Sequence, residues 1–380
     1  MAQSVRSALI GAVLAMAALG PVLAEEPLDT LTVLPFPAPS PTRVLINDFA
    51  FNHMVDGKLH IVDGKTGVYQ GVVPLGFIGI ETLSPDGKNL YITTSYYDRG
   101  THGNKVELVE IYDMASLKLL GEIQLPQKRA QAIPYRPLTA IIGKGRYLLV
   151  QNATPASSVT VVDLEAKKPV SEIDTAGCWG VFPVASKSDA FATVCGDGTL
   201  ETVVLGADAK QASRGKSEVL FDAQNHPIFI QGSAIGDTWY FVTFDGDLVA
   251  IDVSGPAAKL VDRWSFVKGV DGGWRPGGYN LLAAHAKSGR IYVGMHPDGV
   301  EGSHKTPAAE IWALDPKAKK VLTRAPGHNA LGLTINQEGE PLLFAIGEGM
   351  NLLALDPAKD LAVVNEMKAV AENSVLIDAR

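Results

Sequence analysis

The residues of this chain that could do chemistry are few and dispersed. His296 and His304 share one loop, HPDGVEGSHK, but their spacing among turn residues provides neither the ligand count nor the supporting contacts of a zinc site. Asp245 and Asp247 form a DGD motif without the remaining ligands of a calcium loop. GxSxG, HExxH, Walker and GxGxxG motifs are absent. The sequence therefore predicts no catalytic, cofactor-binding or metal-binding residue in this chain.

A recurring aspartate forms a clearer pattern. Six strand-like apolar segments end on this residue type: Asp63, Asp113, Asp163, Asp252, Asp315 and Asp356. A metal site would need such a residue once, whereas an aspartate that accepts hydrogen bonds from its own turn is useful in every repeat. We therefore interpret these aspartates as turn residues.

The aspartates belong to a unit that recurs seven times after the first forty residues. Each copy is a β-rich strand, a turn and a second strand, as in LHIVDGKTGVYQGVVPL from Leu59. The period is about 49 residues, and further turn-led β-rich runs give about four strands per unit. This predicts an all-β fold, a seven-bladed β-propeller of four-stranded blades, as a single domain over residues 43–380. The final SVLIDAR should pair with Arg43–Asp48 and close the ring, which hides both sheet edges.

The N-terminus is typical of an exported protein. Residues 1–24 are a predicted signal peptide, since Arg6 precedes the short apolar run Ala8–Leu19 and small residues precede a cut after Ala24. The apolar run is too short to span a bilayer. Residues 25–42 form a proline-rich arm, which is either a flexible leader or an extended segment that lies on a partner. These features predict a periplasmic protein.

The cysteine count and the charge restrict the function further. Cys178 and Cys195 face each other across a predicted hairpin centred near Ser186, and in an oxidising compartment such a pair favours a disulfide. The formal net charge is −8 and the sequence has no basic run. Nucleic acid and anionic membrane surfaces are therefore not expected as partners.

Two long loops have more distinctive compositions than simple turns. They are Gly272–His285 and Met295–Trp312, and they combine glycine and proline with aromatic and basic side chains. One interpretation is a wide connection between two blades, and the other is a surface for docking a partner protein, which enrichment in Trp, Tyr and Arg favours. The docking candidates are Trp274, Arg275, Tyr279, His296, His304 and Lys305.

Five long phrases carry a resemblance to a known family. They are Gln151–Leu164, Ala176–Pro183, Thr193–Leu200, Trp274–Leu281 and His296–Trp312. With these phrases the chain resembles the large (heavy) subunit of the quinoprotein amine dehydrogenases, the methylamine and aromatic-amine dehydrogenase family. Weaker similarity extends from about Arg43 to the C-terminus. The wording CGDGTL and the phrase from His296 resemble the aromatic-amine branch more closely.

The resemblance implies a subunit rather than a complete catalyst. It implies an α2β2 heterotetramer whose small (light) subunit carries tryptophan tryptophylquinone and the aspartate that takes the substrate proton. The complex would convert a primary, aromatic amine into aldehyde and ammonia, and would pass electrons to an azurin- or amicyanin-type blue copper protein. In this chain, the pattern D-x-x-F-x-H places Phe51 in the substrate channel, with a core phenylalanine as the alternative. The family's disulfide falls on Cys178 and Cys195.

Three hypotheses therefore compete. The first is the large subunit of an amine dehydrogenase, of the aromatic-amine or the methylamine branch. The second is a stand-alone exported propeller that binds a protein or ligand without chemistry. The third is a lactonase-type propeller hydrolase, which should show clustered carboxylates and a metal on one face of the ring. A neighbouring reading frame for a small chain with many cysteines and paired tryptophans would discriminate the first from the second.

Overall fold

The chain folds as a β-propeller. The computed structural model describes residues 36–131 and 134–379, so the predicted signal peptide and all of the arm before Phe36 lie outside the described residues. The described part contains 28 strands and the 3-10 turns Met54–Asp56, Arg136–Leu138, Gly143–Gly145, Ser303–Lys305 and Pro357–Lys359. Within that part, no helix has the length and apolar character needed to cross a bilayer.

The first blade joins the two ends of the domain. Its strands, from the ring axis outward, are β28 (Ser374–Ala379), β1 (Arg43–Asp48), β2 (Gly57–Asp63) and β3 (Val68–Gly76). Strand β28 pairs antiparallel with β1, and Ile377 lies opposite Ile46. The predicted pairing between SVLIDAR and Arg43–Asp48 is thus present, and it covers edges that would otherwise bind other chains.

Four further blades each have four antiparallel strands. The second contains β4 (Ile80–Leu83), β5 (Asn89–Arg99), β6 (His102–Asp113) and β7 (Leu119–Gln124). The third contains β8 (Thr139–Ile142), β9 (Tyr147–Asn152), β10 (Ser158–Asp163) and β11 (Lys168–Asp174). The fourth contains β12 (Cys178–Pro183), β13 (Ala190–Cys195), β14 (Leu200–Leu205) and β15 (Gln211–Lys216). The fifth contains β16 (Ser233–Ile235), β17 (Thr238–Val242), β18 (Asp247–Asp252) and β19 (Lys259–Ser265).

The rest of the chain forms one eight-stranded sheet, so the prediction of seven four-stranded blades is wrong. Its strands are β20 (Arg275–Pro276), β21 (Leu282–His285), β22 (Arg290–His296), β23 (Ala308–Asp315), β24 (Lys320–Ile335), β25 (Leu343–Gly347), β26 (Leu352–Asp356) and β27 (Ala362–Met367). Five separate blades and this sheet make up the described propeller.

The continuity of β24 explains the difference. This strand has 16 residues, and it pairs with β23 through its first part and with β25 through its second part. Ala330 lies opposite both Ala308 and Gly347, so the hydrogen-bonded sheet does not end between the sixth and seventh repeats. The left-handed residues His328 and Asn329 bend the strand without ending it. Repeat counting predicted two separate blades here, whereas β24 joins the strands of both repeats in one sheet.

The recurring aspartates are turn residues, as the pattern predicts. Asp63 Oδ1 accepts the backbone N–H groups of Lys65 and Thr66 at 3.1 and 2.9 Å. Asp163 makes the same contacts with Glu165 and Ala166 at 3.0 and 2.9 Å. Asp113, Asp252, Asp315 and Asp356 each accept a backbone N–H from their own turns. Since these side chains satisfy local backbone donors, their recurrence reflects turn geometry.

The order of the strands assigns the loops to two faces. Neighbouring strands within a blade are antiparallel, and a short loop such as 77–79 joins an outer strand to the next inner one. All such connections, and the loops between the second and third strands of each blade, therefore open on one side of the ring. We call this side the upper face. Its longest described connections are 49–56, 125–131, 134–138, 217–232, 266–281, which includes the short strand β20, and 297–307.

Candidate docking face and substrate gate

The upper face contains every site residue that the sequence singles out. The two distinctive loops lie side by side there, because Gly278 N donates to His304 O at 3.2 Å and Asp298 N donates to Gly272 O at 2.9 Å. Gly277 allows this approach, since a Cβ at that position would meet Thr306 O at 2.5 Å. Gly272 and Gly273 supply the left-handed turn that precedes Trp274. The two distinctive loops, Gly272–His285 and Met295–Trp312, are therefore in direct contact, which the sequence alone did not show.

Trp274 is held by a stack of rings and charges. Its ring centroid lies 5.5 Å from that of the fully buried Trp312. The Arg324 guanidinium lies 4.7 Å from the Trp274 ring and 4.6 Å from the Trp312 ring. Glu310 binds Arg324 Nε at 2.7 Å and accepts Trp312 Nε1 at 2.6 Å. Trp274 is therefore a half-buried, pre-positioned aromatic side chain of the kind that anchors protein interfaces.

Arg275 belongs to a charged cluster beside this stack. Its Nη1 lies 2.9 Å from Asp245 Oδ1, and its guanidinium lies 5.6 Å from the Phe244 ring centroid. Asp245 also forms a hydrogen bond with His226 Nδ1. The DGD motif thus serves an ion pair on the upper face, where it orients Arg275.

The remaining docking candidates differ in exposure. Lys305 Nζ lies 5.3 Å from the Tyr279 ring centroid, and both Lys305 and His304 are exposed. His296 is only 2% exposed. Its Nδ1 lies 3.0 Å from Pro297 O and its Nε2 lies 3.3 Å from Ser303 Oγ, so its ring supports the loop that carries His304. Docking by these six residues stays a prediction.

An apolar groove that the sequence did not reveal crosses the upper face. Its first hollow, about 400 Å³, lies between Tyr135, Phe244, His304 and the segment 227–231. Its second, about 460 Å³, lies between that segment, Trp179 and the cysteine pair. Ile228 and Ile230 contribute to both hollows. The available signal was the apolar run Pro227–Ile230 inside a loop, where polar residues are expected.

Cys178 and Cys195 form the disulfide that the sequence predicts. The S–S bond is 2.03 Å, and the two residues are direct cross-strand partners at the upper ends of β12 and β13. Glu201 lies near both sulfur atoms. Because the sulfur atoms are bonded to each other, this group of three side chains offers no thiolate to a metal.

Replacing both cysteines with serine should destabilise the propeller by about 3 kcal/mol, because a cross-link over a loop of this length restricts the unfolded chain. The bridge joins residues 17 apart and borders the groove. Urea unfolding of the oxidised wild type and of the double variant measures the difference. Reduced wild type should match the double variant, and equal stability of all three forms would contradict the prediction.

Phe51 lies in the upper-face loop 49–56, and 41% of its surface is exposed. Its ring stacks on the fully buried Phe49, with centroids 6.0 Å apart and planes 20° apart. Phe49 packs in an apolar cluster around the ring axis with Ile78, Leu138 and Leu376. Phe51 therefore presents an aromatic face to solvent on the upper face, while Phe49 fills the core. A role of Phe51 in a substrate channel stays a prediction.

Asp48 fixes the start of this loop. Burial by itself raises the pKa of its carboxyl, but hydrogen bonds from His60 and from the backbone of Glu372, Asn373 and Ala50 outweigh it and hold the pKa far below its usual range. The amide contacts measure 2.7 Å to Glu372 N, 2.9 Å to Asn373 N and 3.1 Å to Ala50 N. Asp48 is thus a carboxylate that ties the loop to the turn before β28.

A polar cavity of about 410 Å³ lies along the ring axis below the apolar cluster. Arg136 borders it and binds the buried Glu81 through Nη1 at 2.6 Å, with Asp378 at 4.0 Å from Nη2. Burial lowers the pKa of Arg136, but Glu81 and Asp378 raise it by more, so the guanidinium stays charged. The ion pair connects the loop before the third blade with the inner strand of the second.

These features define a class of protein: a propeller whose upper face combines aromatic anchors, an arginine cluster, an apolar groove and a projecting phenylalanine.

A family model, methylamine dehydrogenase heavy chain, matches residues 40–377. The chain belongs to this family, and it is therefore a large subunit of the amine dehydrogenase type. Membership of the aromatic-amine branch, which the phrase CGDGTL favours, stays a prediction.

Individual relatives agree with the family. The chain is 28% identical to the methylamine dehydrogenase heavy chain of Methylorubrum extorquens over 82% of its own length and 77% of the relative's. It is 27% identical to that of Methylobacillus flagellatus over 95% and 91%. It is 28% identical to that of Paracoccus versutus over 91% and 80%.

Solved structures show the same fold at lower identity. A dihydro-heme d1 dehydrogenase superposes with a TM-score of 0.55 and 18% identity, over 90% of this chain and 77% of that one. A putative 6-phosphogluconolactonase from Bacteroides fragilis superposes with a TM-score of 0.59 and 12% identity, over 90% and 99%. At these identities the likeness concerns the propeller alone.

Proposed function

We propose that this chain is the large subunit of a periplasmic quinoprotein amine dehydrogenase, assembled with a small subunit as an α2β2 heterotetramer. The observation that carries the proposal is the family match over residues 40–377. The upper face supports it, because its groove and anchored aromatic residues suit the docking of a second chain. Electrons from the reaction would leave to an azurin- or amicyanin-type copper protein.

The redox cofactor would belong to the partner. Tryptophan tryptophylquinone, built within the small subunit, supplies the two-electron oxidation of a primary amine to aldehyde and ammonia. The residues of the upper face fit such a partner: they provide apolar walls and hydrogen-bonding groups rather than ligands for a free cofactor. This chain would thus be the non-catalytic subunit of the enzyme. It would bind the small subunit and exclude water from the interface between the two chains.

Phe51 is the residue of this chain proposed to contact the substrate. Its ring projects from the upper face and is backed by Phe49, so it can restrict which amines reach the reaction centre by shape. It carries no group that can move a proton, so its effect would be on selectivity. Such steric discrimination by one aromatic ring is worth roughly 1–3 kcal/mol between amines of different size.

Two substrate classes remain candidates. The phrases CGDGTL and HPDGVEGSHK, which resemble the aromatic-amine branch, favour an aromatic amine. The names of the relatives from Methylorubrum, Methylobacillus and Paracoccus favour methylamine. Because the pocket would lie mainly in the small subunit, the large subunit does not decide between them. Competing amines therefore belong in the first experiment.

The test is to isolate the native protein from a periplasmic extract and to add primary amines while its absorbance is followed. We expect a mature chain that begins near Glu25, a co-purifying small chain, and a chromophore that a primary amine bleaches. The order of bleaching by phenylethylamine, tyramine and methylamine identifies the branch. The large chain expressed alone is the control and should show no response.

A colourless monomer would contradict the proposal if it stayed indifferent to amines after the small chain had been co-expressed and matured. That result would leave a binding propeller without chemistry as the surviving hypothesis. Recovery of the chain from the cytoplasm with residues 1–24 intact would separately overturn the periplasmic assignment.

A further inference from the structure

The loop that carries Phe51 is not held by its own sequence neighbours alone. We call residues 49–56 the gate loop and residues 368–373 the closing turn. Phe51 N donates to Asn373 Oδ1 at 3.2 Å, and Phe49 N donates to Asn373 O at 3.0 Å. Both contacts cross from the first described loop of the propeller to the segment before its last strand.

Two further contacts join the same segments. Asn52 Nδ2 donates to Glu372 Oε1 at 3.2 Å, and His53 Nε2 lies 3.0 Å from Glu372 Oε2. Glu372 therefore bridges two residues that directly follow Phe51. The ion pair is exposed, with 51% of the His53 side chain and 39% of the Glu372 side chain accessible, so by itself it contributes little.

The backbone beneath Phe51 needs this support. Ala50 has a φ of +44°, in the left-handed region that a residue with a Cβ rarely adopts, and it is 2% exposed. Such a conformation persists where surrounding contacts determine it. Here Asp48 accepts Ala50 N while it also accepts the backbone N–H groups of Glu372 and Asn373. The direction in which Phe51 projects thus depends on the closing turn.

We propose that Asn373, assisted by Glu372, is a positioning residue for Phe51, so that the closing turn contributes to amine selectivity. The inference rests on the proposed function, in which Phe51 borders the substrate path. Asn373 acts through the Phe51 backbone and does not touch substrate. Without its side-chain acceptor, the Phe51 N–H loses its partner and the ring occupies a wider range of positions.

The experiment compares Asn373→Ala with Asn373→Asp in the full two-chain complex. Asn373→Asp keeps an oxygen acceptor for Phe51 N, whereas Asn373→Ala removes it. For Asn373→Ala we expect a change of about fivefold in the ratio of kcat/KM for phenylethylamine to that for methylamine, well below the change from Phe51→Ala. Asn373→Asp should return the ratio to within about twofold of wild type.

Phe51→Ala is the reference variant for loss of the ring, and its combination with Asn373→Ala completes a double-mutant cycle. If Asn373 acts through the Phe51 ring, the double variant Phe51→Ala with Asn373→Ala should have the selectivity of Phe51→Ala alone. Deuterium exchange of peptides that cover residues 49–56, measured on the large chain, should be faster in Asn373→Ala and unchanged in Asn373→Asp. This measurement does not depend on enzyme activity. If Asn373→Ala does not fold, Glu372→Ala paired with Glu372→Gln tests the assisting contacts of the closing turn to Asn52 and His53 with the same two measurements, and no change in either measurement would overturn the positioning role.

The possible outcomes distinguish the positioning role of Asn373 from the proposed function. A selectivity change with Phe51→Ala but none with Asn373→Ala, or fully additive effects, overturns the positioning role and leaves the proposed function in place. No selectivity change with Phe51→Ala in an active complex overturns the channel role of Phe51, and the inference with it. Absence of amine oxidation in the wild-type complex overturns the proposed function itself, while the exchange data still report whether Asn373 holds the loop.

Discussion

Glu81→Ala should reduce the free energy of unfolding by about 2–3 kcal/mol, because it leaves the Arg136 side chain, of which 28% is exposed, and the buried Asn47 amide without their shared carboxylate. Glu81 is 1% exposed and lies on the inner strand β4. Its carboxylate binds Arg136 Nη1 at 2.6 Å and also accepts Asn47 Nδ2. Urea unfolding of the oxidised mature chain, followed by tryptophan fluorescence, measures the loss.

A neighbouring carboxylate offers a matched control. Asp378 lies 4.0 Å from Arg136 Nη2, and 29% of its side chain is exposed. Asp378→Asn should therefore cost less than about 1 kcal/mol. Replacing Glu81 and Arg136 together by methionine should restore most of the stability, because the double change leaves no unpaired charge. A cost for Glu81→Ala no larger than for Asp378→Asn would contradict the buried ion-pair interpretation.

The features that the sequence predicted correctly depend on short stretches of chain. The turn aspartates, such as Asp63, make their contacts two or three residues away. The disulfide joins the two strands of one hairpin, so residue spacing was enough to place Cys178 opposite Cys195. Ring closure is the exception, because it pairs strands at opposite ends of the domain, and it followed from the strand-like character of both ends and the cost of exposed edges.

Other features depend on contacts that no local pattern reports. Strand β24 merges two repeats because Ala330 pairs on both sides, and the repeat period is the same whether or not a strand continues. Asp48 meets Asn373 across 325 residues of sequence. The groove beside Pro227–Ile230 exists only because loops from several blades converge on the upper face. The closed ring, and not the residue type, determines which of these distant side chains come into contact.

The closed ring also determines what the propeller provides for function. The upper face groups side chains from the first and last strands of the domain with those of the central blades. A closed ring holds these loops at fixed separations, and docking surfaces benefit from such preorganisation because little ordering entropy is lost on binding. A partner that lies on this face would contact Phe51, the groove and Trp274 at once.

Val300→Glu should therefore weaken assembly with the small subunit by about a hundredfold, since it places an unpaired carboxylate in the proposed docking surface. Val300 is 67% exposed and precedes Glu301 at the rim of the groove. The folded large chain should tolerate the change, because the side chain is free to remain in water. Titration of the isolated large chain with matured small subunit, read by size-exclusion chromatography and by amine-dependent bleaching, measures the effect.

Val261→Glu is the matched control for this prediction. Val261 is 59% exposed, but it lies on the outer strand β19, away from the upper-face loops. The two variants make the same chemical change and have similar exposure, so they differ only in which surface they alter. We expect wild-type assembly for Val261→Glu. Equal weakening by both variants would assign the loss to general charge repulsion, and weakening by Val261→Glu alone would move the docking site from the upper face to the outer edge of the ring.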